Sequence, residues 1–96
     1  MSQIDITLPH KLSAKSAREA ADKAGRYLAT EYGLRYAWQN EHRIAFERPG
    51  VNGHLDLARN SVRVTVRLGF PLLLMRDAIE QGIEHDLGQL FSGEAA

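Results

Sequence analysis

Apolar and polar residues alternate along most of the chain, and each alternating stretch predicts a strand with one buried face. The first stretch ends at Pro9, the second covers residues 34–38, and three more lie within residues 43–68. Pro49-Gly50 opens a turn between two of them, and Asn52-Gly53 is expected either to extend that turn or to make a bulge. The predicted inward positions are Ile4, Ile6, Leu8, Leu34, Tyr36, Trp38, Ile44, Phe46, Leu55, Leu57, Val62, Val64, Val66 and Leu68.

Two further stretches repeat with the period of a helix. In the first, Ser13 or Ser16 can cap the N-terminus, and Gly33 stands where a left-handed C-terminal cap belongs. The second starts with Pro71 in its first turn, and residues 92–96 behind it are expected to fray. The predicted buried faces are Ala17, Ala20, Ala21, Ala24, Tyr27, Leu28 and Tyr32 for the first helix, and Leu72, Met75, Ile79, Ile83, Leu87 and Leu90 for the second.

The predicted element order is therefore β-α-β-β-β-β-α, an α+β domain. Because short turns join the later strands, a five-stranded, mostly antiparallel sheet is expected, with both helices packed on its apolar face. This is a minimal helix-grip arrangement. We expect a single domain over residues 1–92 and a short tail over residues 93–96.

Composition narrows the function classes only slightly. The chain has 96 residues, of which 44% are hydrophobic and 25% charged, and its twelve basic and twelve acidic residues cancel. A neutral chain is poorly suited to broad electrostatic capture of nucleic acid. The absence of cysteine excludes disulfides and thiolate chemistry. With neither a signal-peptide pattern nor an apolar run of membrane-spanning length, a cytoplasmic protein is expected.

The residue types that carry catalysis lack the spacing that catalysis requires. The four histidines, His10, His42, His54 and His85, are scattered over different elements without metal-pair spacing, so we expect surface positions, with a turn hydrogen bond for His10. Neither a nucleophile elbow nor a glycine-rich phosphate loop is present. We therefore expect no enzymatic activity, no catalytic residue, no metal and no cofactor.

Two surfaces remain as candidates for a binding role. The first is a row of arginines on the polar sheet face, which could bind RNA. Sheets that bind RNA usually stack its bases on exposed aromatic residues. Since the aromatic residues of this sheet fall in the inward register, nucleic acid is not the expected partner. The row consists of Arg35, Arg43, Arg63 and Arg67. The second is an apolar excess at the start of the last helix, formed by Phe70, Leu73 and Leu74. These three are either wedged into the core, exposed as a partner surface, or placed beside a small cavity for an apolar ligand.

Nearly the whole chain resembles the small bacterial proteins called polyhydroxyalkanoic acid system, or granule-region, proteins. The resemblance rests on Ile4-x-Ile6 before Pro9-His10, Leu12-Ser13 opening an alanine-rich helix, Tyr32-Gly33-Leu34 followed by Trp38, Phe46-Glu47-Arg48-x-Gly50-Val51-x-Gly53, and Val64-x-Val66-x-Leu68-Gly69. The chain departs from the usual pattern at Gly82 and Gly88, which weaken the last helix.

The resemblance implies a bacterial cytoplasmic protein with an accessory or structural role in polyhydroxyalkanoate storage. Its expected partner is a polyhydroxyalkanoate granule or a granule-associated protein. The resemblance carries over no site; the contact through Phe70, Leu73 and Leu74 is expected from their apolar excess, and a homodimer through the same surface is also open. No catalytic residue is implied. The second hypothesis is a module that binds a small apolar ligand such as an acyl chain, and the third is a sheet that binds nucleic acid.

Overall fold

The computed structural model describes residues 2–70 and 72–91, and it has the predicted element order. The elements are β1 (Ser2–Pro9), α1 (Ala14–Tyr32), β2 (Arg35–Trp38), β3 (Arg43–Arg48), β4 (Val51–Leu57), β5 (Ser61–Leu68), a 3₁₀ turn (Leu72–Met75) and α2 (Arg76–Leu90). The predictions for Pro71 and for residues 92–96 lie outside the described residues.

The five strands form one antiparallel sheet in the order β1-β5-β4-β3-β2. The first strand therefore pairs with the last one, whereas β2 to β5 are joined as consecutive hairpins. The registers place the predicted inward residues opposite one another across all strands: Ile6 lies opposite Val64, Val64 opposite Leu55, and Leu55 opposite Ile44. This continuous apolar face is what both helices cover, and Ile44, Leu55 and Val64 are fully buried.

The turn between β3 and β4 is shorter than the sequence indicated. Pro49 and Gly50 alone make it, with Gly50 at φ 84° as a type II turn requires. Asn52 and Gly53 neither extend the turn nor form a bulge, because both are paired inside β4. A Cβ at Gly53 would lie 2.3 Å from the backbone oxygen of Thr65, so the glycine allows close approach of two strands.

Helix α1 packs on the sheet through small residues. All four predicted alanines are buried, and Ser13 caps the helix by accepting a hydrogen bond from the backbone N–H of Ser16 at 3.1 Å. Tyr27 was expected on the buried face, but it lies at the margin of that face and is 42% exposed. Gly25, on the opposite margin, is buried instead; a Cβ there would lie 3.0 Å from the ring of Tyr36.

The predicted last helix is divided. A 3₁₀ turn precedes α2, and its last residue, Met75, has φ −106° and ψ 17°, outside the α-helical region. The apolar faces before and after this residue therefore do not line up, and Met75, predicted to be buried, is 55% exposed. Ile83 and Leu87 are buried as predicted, and Phe91, which follows α2 directly, joins the core without having been expected there.

His10 is an exception to the expected surface placement of the histidines. It is 5% exposed, and its ring packs against Phe91 at a centroid distance of 5.7 Å. The backbone N–H of Leu12 donates to its Nδ1 at 3.1 Å, so Nε2 carries the proton and donates to the carbonyl of Ala58 at 3.2 Å. The predicted turn hydrogen bond is therefore present, together with a second bond that ties the end of β1 to the β4–β5 turn.

Candidate functional site

The largest exposed apolar side chains lie where β5 leads into α2. Phe70 is 77% exposed and Leu74 is 71% exposed, and with Met75 they form what we call the apolar patch. Leu73, which the sequence grouped with Phe70 and Leu74, is only half-buried and packs against the core. The 3₁₀ turn contains no buried residue at all, although all four of its residues are apolar.

Backbone and side-chain hydrogen bonds fix this segment to the sheet at both ends. The N–H of Gly69 donates to the carbonyl of Gly50 at 2.8 Å, and the N–H of Leu73 donates to the carbonyl of Gly69 at 3.0 Å. After the turn, the Nε of Arg76 donates to the carbonyl of Gln3 on the free edge of β1 at 3.1 Å. The apolar patch is therefore carried by an anchored backbone, and its exposure is not that of a loose loop.

Charged residues border the patch on the side of α2. Nη1 of Arg76 lies 2.8 Å from a carboxylate oxygen of Glu80 and 3.2 Å from one of Asp77. Exposed apolar side chains with polar residues at their edge are typical of a contact surface.

A cavity of about 290 Å³ lies beside the patch, between the C-terminal end of α1, the sheet and the start of α2. Its wall is mostly apolar. The lining residues are Leu28, Glu31, Tyr32, Gly33, Leu34, Phe46, Arg48, Val51, Val66, Leu68, Leu72, Ile79 and Ile83. Leu72 links the two features, since it lines the cavity from the same 3₁₀ turn that exposes Leu74.

The polar residues of the cavity come from the end of α1 and from β3. Nη1 of Arg48 donates to the carbonyl of Tyr32 at 2.8 Å, and among the described residues Arg48 is not part of an ion pair. Burial, followed by the nearby carboxylates of Asp86 and Glu31, raises the pKa of Tyr32 above its usual value of 10.0. Its hydroxyl is therefore protonated at neutral pH and able to donate a hydrogen bond.

Trp38, which was predicted to face inward, does not line this cavity. Its ring is covered by the guanidinium of Arg18 at 4.3 Å, and its indole N–H donates to Asp22 at 3.0 Å. Of the inner aromatic residues, Phe46 reaches the cavity wall. Trp38 therefore marks the packing of α1 on β2.

The open face of the sheet carries the four predicted arginines, but two of them are paired with carboxylates. Arg43 lies 2.6 Å from Asp56, and Arg63 lies 2.6 Å from Asp5. The hydrogen bond from Arg63 holds the pKa of Asp5 below its usual value of 3.8. The row is thus an alternating charged surface, and it does not form a continuous basic strip.

Within residues 2–70 and 72–91, no cluster of histidine and acidic side chains is placed to hold a metal ion. Neither helix in that part of the chain is long and apolar enough to cross a membrane.

Comparison with known proteins agrees with the motifs along the strands. The model of the family described as "Putative polyhydroxyalkanoic acid system protein" matches residues 4–91. The chain belongs to this family. The family match covers all of the helices and strands except the first two residues of β1, and it includes both the apolar patch and the cavity. No curated protein matches the chain significantly.

A solved structure has the same fold. The NMR structure of PA4090 from Pseudomonas aeruginosa superposes with a TM-score of 0.59, covering 98% of this chain and 88% of that one. The two sequences are 11% identical, so the likeness concerns the fold alone.

Sequence reasoning missed two parts of this site. Met75 was assigned to the core because its spacing fits an α-helix, and nothing in the pattern marks the 3₁₀ turn. The size and position of the cavity depend on how far the end of α1 stands from the sheet. The one available signal was the change from alanines to Leu28 and Tyr32 along α1, since larger side chains hold a helix farther away.

Proposed function

We propose that this protein is a non-enzymatic accessory protein of polyhydroxyalkanoate storage that acts in the bacterial cytoplasm and binds the granule surface through the apolar patch. The observation that carries this proposal is the exposure of Phe70 and Leu74 on an anchored turn. Membership of the polyhydroxyalkanoic acid system family supports the choice of a polyester surface over other apolar partners.

The energetics of the patch suit reversible attachment. Burying one large apolar side chain is worth about 1.5–3 kcal/mol, so Phe70 and Leu74 together supply roughly 3–6 kcal/mol before the costs of association. That is too little for a permanent anchor by a single molecule. It suits weak and reversible attachment, with Arg76 and Asp77 kept in water at the rim.

The test is co-sedimentation of the purified chain with protein-free polyhydroxybutyrate particles. The double variant Phe70→Ser/Leu74→Ser should lose at least tenfold in affinity for the particles, because each serine removes most of an apolar contact. Its thermal unfolding should match that of the unchanged protein, since both side chains are already mostly in water. Tyr27→Ser, at an exposed aromatic residue outside the patch, is the matched control and should bind normally.

Other results would point to other partners. If the unchanged chain does not bind protein-free particles but does bind native granules, the partner is a granule-bound protein and direct contact with the polymer is excluded. A change in elution volume on size exclusion, lost in the double variant, would assign the patch to a homodimer. Equal binding by the double variant and by Tyr27→Ser would remove the patch from the function altogether.

A further inference from the structure

The cavity beside the patch has the size and chemistry of a ligand site. We infer that it binds a single medium-chain hydroxyalkanoic acid, with the alkyl chain among the apolar walls and the carboxylate at Arg48. The cavity and the charged residues that line it do not depend on the proposed function; the choice of a hydroxy acid over a plain fatty acid rests on that function together with the acceptor group of Glu31.

Volume limits the ligand. Small-molecule sites begin at about 300 Å³, and this cavity of about 290 Å³ lies at that lower bound. At ~30 Å³ for each water-sized group, it accommodates about ten non-hydrogen atoms. An acid of about six to eight carbons fits, whereas a long-chain fatty acid or a whole polymer segment does not.

The walls favour an alkyl chain. Four strand residues, two residues of α2 and Leu34, which directly precedes β2, converge on the cavity with apolar side chains, and none of these side chains offers a hydrogen-bonding group. They are Leu34, Phe46, Val51, Val66, Leu68, Ile79 and Ile83. A polar ligand inside this space would leave its own groups without partners, which costs more than the burial returns.

The polar lining favours an anion with a hydroxyl group. Arg48 is held in place by its bond to the carbonyl of Tyr32, and its remaining N–H groups are available for a carboxylate. Glu31 also lines the cavity, and its carboxylate is a hydrogen-bond acceptor. A hydroxy acid satisfies both kinds of group, because its carboxylate accepts from Arg48 while its hydroxyl donates to Glu31.

One wall of the cavity adjoins the surface that is proposed to meet the granule. Leu72 lines the cavity from the 3₁₀ turn, Ile79 lines it from α2, and Leu74 of the same turn is exposed. A hydroxy acid released at a polyester surface would therefore be set free close to the cavity. The two sites share an element but use different side chains, so they can be separated by mutation.

Isothermal titration calorimetry of the full chain with 3-hydroxyoctanoate, octanoate and 1-octanol tests the site. We expect one saturable site for the hydroxy acid and several-fold weaker binding of octanoate. Arg48→Gln should weaken both acids by about tenfold and leave octanol unchanged, as expected for loss of a charged hydrogen bond. Arg67→Gln, an exposed arginine on the open sheet face, removes the same charge and should change nothing.

A second variant tests the cavity itself. Leu34→Trp fills the space from a half-buried position and should abolish binding of all three compounds. In NMR spectra, the changes in amide chemical shift that the ligand causes at Gly33 and Val51 in the unchanged chain should be absent in this variant. The inference is overturned if no compound binds saturably at millimolar concentration, if Leu34→Trp binds as the unchanged chain does, or if Arg48→Gln and Arg67→Gln behave alike.

The two proposals fail separately. Phe70→Ser/Leu74→Ser should keep its affinity for 3-hydroxyoctanoate, and Leu34→Trp should still sediment with polyester particles. Loss of ligand binding in the patch variant, with its melting temperature unchanged, would show that the compounds bind at the patch and would overturn the cavity site.

Discussion

The alanine face of α1 and the 3₁₀ turn before α2 use apolar residues in opposite ways. On α1, the smallest apolar side chains are buried, and Ala21 has no exposed surface at all. In the 3₁₀ turn, four large apolar residues stand in a row and none is buried. From residue hydrophobicity alone, the 3₁₀ turn would be expected to be more deeply buried than the alanine face of α1.

The difference shows that position in the fold, and not the size of an apolar side chain, decides what is buried in this domain. Alanines bring the axis of α1 close to the strands, so the apolar face of the sheet is covered efficiently. Two helices cover that face, and the cavity of about 290 Å³ that remains beside them is lined by neither Phe70 nor Leu74. Large apolar residues that remain outside a small core add nothing to folding, and this is the physical reason for assigning them a partner.

The most severe test of this comparison introduces the same charge in both environments. Val64→Asp places a carboxylate at a fully buried position, at a cost of several kcal/mol against a total stability on the order of 5–15 kcal/mol, so the domain should be unfolded or nearly so. Leu74→Asp should stay within about 0.5 kcal/mol of the unchanged chain. Circular dichroism melts give both values; similar melts would mean that the turn is part of the core.

A gentler test enlarges an alanine on each helix. Ala21→Leu must push α1 away from the sheet and should cost about 1–3 kcal/mol in urea unfolding. Ala78→Leu makes the same change at an exposed position of α2 and should cost less than about 0.5 kcal/mol. If Ala21→Leu is tolerated as well as Ala78→Leu, the close approach of α1 is not what limits space on the sheet.

A third change loosens the anchor of the 3₁₀ turn. Arg76→Gln removes the bonds to the carbonyl of Gln3 and to Glu80, which should cost about 1 kcal/mol because all of these groups can bond to water instead. Hydrogen exchange at the amide of Leu73 should become faster. Arg67→Gln makes the same substitution on the open face of the sheet and should change neither the free energy of unfolding nor the exchange rate at Leu73. If the amide of Leu73 exchanges at the same rate in both variants, the turn is held by its own backbone hydrogen bonds.

The strands, and the helices that pack on the sheet, could be predicted from the sequence because the alternation of apolar and polar residues follows directly from burial on one face. A residue such as Val64 has the same inward position in any antiparallel register that keeps the pattern, and Gly33 at the end of α1 has a conformation that few other residues adopt. The membership of the family was likewise visible in the motifs of β3 to β5. These features depend on local rules or on residue order alone.

The candidate site was less predictable because it depends on distances between elements. The exposure of Phe70 and Leu74 was one of three alternatives, and only the fold shows that Leu73 turns inward between them. The burial of His10 requires Phe91 and Ala58 as neighbours, which no local pattern announces. The cavity lies between the end of α1, the sheet and the start of α2, and side-chain volume predicts such a gap poorly.

The smallest expected effect concerns the two glycines of α2, which continue the helix beyond the 3₁₀ turn. A Cβ at Gly88 meets nothing within 4 Å, so Gly88→Ala should stabilise the domain by about 0.5–1 kcal/mol through the lower backbone entropy of the unfolded chain. At Gly82 a Cβ would lie 3.4 Å from the hydroxyl of Tyr32, a contact that crowds α1 against α2 and offsets part of this gain. Urea unfolding should therefore rank Gly88→Ala above Gly82→Ala. The reverse order would mean that the contact between position 82 and Tyr32 is looser than 3.4 Å, and hence that the two helices stand farther apart at this point.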